Sequence, residues 1–150
     1  MVVHTLNQLH HPAAAYLDVQ RHLSMSATTD IPGMDRPIEA YVERWRKRQE
    51  AAYAYNRRLA QQARQDVEHI AAMLRQKFGV TRILLFGSLM TDRFSAESDI
   101  DLAVADLAPA DYFPALAEAG KLTDFPVDLK PLEALAPHVR DRILERGEDV

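Results

Sequence analysis

The chain has 150 residues, which suits one domain and excludes two large ones. Its apolar content of 47% and charged content of 27% are those of an ordinary folded chain and not of a disordered or fibrous one. It has no cysteine, so neither disulfides nor a thiolate zinc site can hold it together; a reducing compartment suits it, and the cytoplasm is the expected location.

The net charge of -4 hides an asymmetry: residues 36–78 carry ten Lys and Arg against five acids, residues 79–150 seven against fourteen, and residues 1–35 one against three. Residues 1–35 mix His10-His11-Pro12, a short Ala run and Ile31-Pro32-Gly33 without sustained periodicity, and read as a weakly ordered leader in which Met25 and Met34 are alternative starts. They lack the pattern of a signal peptide, and the longest strongly apolar run, Ile83 to Phe86, is too short to cross a bilayer. No membrane attachment is expected.

Residues 36–78 form a helical region. Asp35 is a fitting N-cap with Pro37 in the first turn, and Ile38, Tyr41, Val42 and Trp45 recur at helical spacing. The stripe resumes at Ala52, Leu59, Ala63, Val67, Ile70 and Leu74, and Gly79 caps it, which predicts two helices or one bent one. Arg44-Trp45-Arg46-Lys47-Arg48 has a basic-aromatic pattern, but on a helix Trp45 falls on the apolar stripe while the cations point to solvent, so nucleic-acid binding is not expected. Tyr53 and Tyr55 read as helix packing.

Residues 79–150 form the core. Arg82 to Phe86 reads as a buried strand ending at Gly87-Ser88, Asp99 to Val104 as a second and Phe125 to Leu129 as a third, with helices over Tyr112 to Lys121 and Leu132 to Arg146, the last ended by Gly147. On a strand Asp99 and Asp101 share a face, their Cα atoms about 7 Å apart, near enough to serve one hard cation. Asp128 and Lys130 likewise share a face, opposite Val127 and Leu129. If the third strand lies beside the second, three carboxylates converge, enough to hold two magnesium ions, and Lys130 can meet phosphate. Gly87 permits close backbone approach, and Ser88 with nearby backbone N–H groups can donate to phosphate oxygens.

Phe86-Gly87-Ser88, the ten residues Leu89 to Ser98, and Asp99-Ile100-Asp101 together resemble the signature of minimal nucleotidyltransferases of the DNA polymerase β superfamily. The resemblance spans about residues 66–150 and implies an α+β, polymerase β-like fold: a short mixed sheet with helices on one face, here with a helical extension in front. It implies Asp99, Asp101 and Asp128 as catalytic and metal residues, and Gly87 and Ser88 as nucleotide-binding. Many relatives continue after Gly-Ser with basic residues, where this chain has Leu89-Met90-Thr91-Asp92, and Arg93 supplies the nearby positive charge.

Relatives of this length commonly act as antitoxins beside a HEPN-type RNase toxin, some by adenylylating a tyrosine. The resemblance therefore implies a magnesium-dependent protein adenylyltransferase that uses ATP, and allows a hetero-oligomer with that partner. Two alternatives are a non-catalytic antitoxin that neutralises by contact, and an enzyme modifying a small antibiotic-like molecule. His4, His10, His11, His22, His69 and His138 show no spacing that sets a metal site, and neither a hydrolase triad nor a P-loop is present.

Overall fold

A computed structural model of the chain describes residues 37–150; the leader, its alternative starts and the Asp35 cap lie outside the described residues. The elements are α1 (Ile38–Phe78), β1 (Arg82–Phe86), β2 (Ile100–Ala105), α2 (Tyr112–Gly120), β3 (Val127–Pro131), α3 (Pro137–Arg146) and β4 (Glu148–Asp149). The class is α+β. The strands form one mixed sheet in the order β3-β2-β1-β4, with β1 antiparallel to β2 and β4, and β2 parallel to β3 across the α2 connection.

The helical stripe forms one continuous helix of 41 residues, yet its buried residues begin only at Ala63. From there Val67, Ile70, Ala71 and Leu74 pack on the sheet face made by Ile83, Leu85, Ile100, Leu102, Val104 and Leu129, with Ala115 and Ala119 of α2 beside them. Upstream, Trp45, Tyr53 and Tyr55 stay 42%, 52% and 49% exposed, so the two tyrosines do not pack as expected. They precede the part of α1 that reaches the sheet. Gly79 leaves the helix at φ 66, the left-handed turn expected of it. Among the described residues no helix is long and apolar enough to cross a membrane.

Helices cover both faces of the sheet. α1 and α2 share one, as expected, while α3 covers the other, because strand alternation turns Leu84 and Ala103 away from α1 and Ile143 and Leu132 bury them. The segment from Leu132 to Arg146 is also not one helix. Leu132–Ala134 forms a 3-10 turn and α3 starts at Pro137, since proline forces Ala136 into an extended conformation, φ -57 and ψ 141. The two-residue β4, which pairs with Leu84 and Leu85, was too short for periodicity to reveal.

Candidate active site

β1 delivers the chain to Gly87, where φ is 77, a left-handed conformation that residues with a side chain rarely adopt. A second constraint acts at the same atom. Phe86 is paired across the sheet with Asp101, so the carboxylate of Asp101 lies against the Gly87 α-carbon; a Cβ there would sit 2.0 Å from Asp101 Oδ2 and 2.8 Å from its Cγ. Gly87 through Met90 then closes as a 3-10 turn, with the Thr91 N–H and hydroxyl donating to the Ser88 carbonyl at 3.0 and 2.9 Å.

The parallel pairing of β2 and β3 sets Asp101 directly opposite Asp128. Adjacent strands are about 4.8 Å apart, so two carboxylates meet on one face, both half-buried where α3 leaves the sheet uncovered. Burial pushes the Asp101 carboxyl above its ordinary value, and the charges of Asp128 and Asp99 push it further, against a smaller opposing effect of Lys130. Asp99 is exposed and precedes β2 instead of lying within it.

Lys130 Nζ stands 2.5 Å from Asp128 Oδ2, and this hydrogen bond is the largest cause raising the Lys130 ammonium above its ordinary value. The lysine compensates the charge of Asp128, which lies in register with Asp101. Among the described residues no group of three or more His, Cys, Asp or Glu is placed so that it could hold a metal ion. Asp101 and Asp128 in register offer carboxylate oxygens, the donor type that a hard divalent cation takes, and Asp99 lies two residues before Asp101.

Residues 68–150, more than half of the chain, match the family described as polymerase beta, nucleotidyltransferase. The chain belongs to that family. No curated protein matches it. A solved structure assigned as a minimal nucleotidyltransferase is 22% identical, with a TM-score of 0.54 over 61% of this chain and 95% of that one. A toxin–antitoxin complex with AMP-PNP is 25% identical, with a TM-score of 0.48 over 53% of this chain and 68% of that one. The MntA–HepT toxin–antitoxin complex is 22% identical, with a TM-score of 0.46 over 57% and 69%.

Within this nucleotidyltransferase domain the other expected residues divide. Lys130 shares the carboxylate face but holds Asp128, whereas Arg93 is exposed in the loop after the Gly-Ser turn, its backbone N–H donating to Thr91 Oγ1 at 3.2 Å. Leu89, directly after the Gly-Ser pair, is 3% exposed in the core, so a basic residue there would bury a charge.

Three framing residues escaped the sequence reading. Arg64 of α1 donates to both Glu148 carboxylate oxygens at 3.0 and 3.2 Å and to the Leu89 carbonyl at 3.4 Å, tying the Gly-Ser turn to β4. Phe94 is buried and meets Phe125 edge-on at 5.2 Å, anchoring the loop between the two motifs, where no periodicity marks it. Asp66 is the third, and it had a signal: it falls on the apolar stripe, three residues after Ala63 and four before Ile70.

Proposed function

We propose that the chain is a magnesium-dependent adenylyltransferase that moves AMP from ATP to a tyrosine hydroxyl of a HEPN-type RNase partner, and so acts as an antitoxin. The observation that carries the reading is the register of Asp128 against Asp101 at the point where Gly87 is packed on the Asp101 carboxylate. Family membership supports transfer of a nucleotidyl group, and the motif resemblance supports the partner.

In this reading the backbone N–H groups around Gly87 and Ser88 fix the triphosphate. Asp99, Asp101 and Asp128 would hold magnesium, which when bound supplies charge neutralisation at the phosphates and lowers the pKa of the acceptor hydroxyl. The acceptor oxygen attacks the α-phosphorus, the bond from that phosphorus to the β-bridging oxygen breaks, and pyrophosphate leaves with the bond's electrons. Asp128 receives the hydroxyl proton once Lys130 turns from it to the phosphates. Positioning and charge compensation then account for the rate.

The absence of cations from Leu89 to Asp92, with Leu89 buried, favours one second reading: a binding antitoxin without turnover. Incubating the chain and its partner with ATP labelled at the α- or the γ-phosphate separates the two. Label on the partner from the α-phosphate alone supports transfer, and neutralisation with no label on the partner supports binding.

A further inference from the structure

Among the described residues Asp66 is the one buried polar or charged residue, 7% exposed near the start of the α1 face that packs on the sheet. Burying a carboxylate is costly unless its oxygens are hydrogen-bonded, and an apolar residue would fill the same space without that cost. Both oxygens are engaged: Gln62 Nε2 donates to Oδ1 at 2.9 Å and Thr123 Oγ1 donates to Oδ2 at 2.7 Å. Bonds to a charged acceptor are stronger and more directional than neutral ones, so what they hold in place matters.

They hold the entry to β3. Thr123 Oγ1 also accepts the Phe125 N–H at 3.2 Å, and one residue on the Pro126 carbonyl accepts the Ile100 N–H at 2.8 Å, where the β2–β3 ladder begins. From that bond the register runs Ile100 opposite Val127, then Asp101 opposite Asp128. β3 is a five-residue strand at the sheet edge, with β2 as its one neighbour, so no second strand fixes its register. A slip of one residue would turn Asp128 to the opposite face and put an apolar side chain beside Asp101.

We propose that Asp66 and Thr123 are positioning residues that lock the register of β3 on β2 and thereby hold Asp128 opposite Asp101. Its catalytic consequence rests on the nucleotidyl-transfer reading; the register claim does not.

Exchange is measured on the full chain without metal, and transfer on the same chain with magnesium added. Thr123→Val removes the hydroxyl at nearly constant shape, and Thr123→Ser keeps it. Amide hydrogen exchange at Ile100, whose N–H donates to the Pro126 carbonyl, is expected to quicken about tenfold or more in Thr123→Val relative to the Leu85 amide in central β1, and to stay at wild-type rates in Thr123→Ser. Transfer at saturating ATP is expected to fall about tenfold in the valine variant, with the KM for ATP within about twofold, and to be restored in the serine variant.

Exchange that is unchanged, or that quickens equally across the sheet, overturns the register lock. Selective exchange with a wild-type transfer rate overturns the claim that the lock places Asp128. Should the wild type transfer no nucleotide, the functional reading fails while exchange still decides the register. If Thr123→Val does not fold, Asp66→Asn, which keeps size and removes charge, is expected to show the same selective pattern at smaller amplitude, and wild-type exchange in it overturns the proposal.

Discussion

Gly87→Ala tests the junction of the two motifs. The substitution meets two costs that a second glycine allows to be separated. At φ 77 a side chain in the left-handed region costs about 1–2 kcal/mol, and Gly79, at φ 66, carries the same backbone cost with nothing within 4 Å of an added Cβ. For the 114 residues described, an unfolding entropy of about 2.1 cal/mol/K per residue converts 1 kcal/mol into about 4 °C, so each variant should lose roughly 4–8 °C of melting temperature.

Only at position 87 does the new Cβ fall 2.0 Å from Asp101 Oδ2, so the carboxylate must retreat by about 1 Å or more to reach ordinary contact. A displacement of that size at a reacting centre costs about a hundredfold in rate. Calorimetry and a labelled-ATP assay on both variants are the measurements. Gly87→Ala should lose about two orders of magnitude in transfer and at least as much stability as Gly79→Ala, which should lose less than threefold in transfer. Equal losses of transfer in the two would refute the contact argument.

Asp101→Asn should abolish transfer and raise the melting temperature of the metal-free protein at pH 7, because the carboxyl is held above its ordinary value and its ionisation therefore opposes folding. That gain should vanish below pH 3.8, where the group is protonated folded or unfolded; a lower melting temperature at pH 7 contradicts the crowding. Glu118, held at about 2 against an ordinary 4.5 by Lys121 and Lys77, contributes stability that is complete above pH 4.5 and lost as pH falls towards 2. Glu118→Gln should flatten the melting-temperature profile over that window and leave transfer untouched. Trp45 is an exposed aromatic on the outer part of α1, a residue type in which binding energy concentrates, and if the partner docks there Trp45→Ala should weaken partner binding about tenfold or more by calorimetric titration while ATP binding is unchanged; unaltered affinity would show that Trp45 takes no part in docking.

The strands and the carboxylate motif were legible because both rest on short-range periodicity. Ile83 to Phe86 is an uninterrupted apolar run, and Asp128 between Val127 and Leu129 announces a two-sided strand. Asp99 read as a strand residue because its apolar neighbour Ile100 opens β2, whereas the ladder starts one residue later at the Pro126 carbonyl. The break before α3 was present as Pro137 and was outweighed by the helical spacing around it. Lys130 illustrates the limit of face assignment: period two places it beside Asp128 but says nothing of the ion pair by which it holds that carboxylate. Arg64 and Phe94 were out of reach, since each acts through partners distant in the chain.

The central claim is tested most directly by intact-mass measurement of the HEPN-type partner after co-expression with this chain. The account predicts a partner heavier by one AMP unit or a whole multiple of it, with the addition mapped to tyrosine and absent when the co-expressed chain carries Asp101→Asn. A partner that is neutralised at its unmodified mass would contradict it.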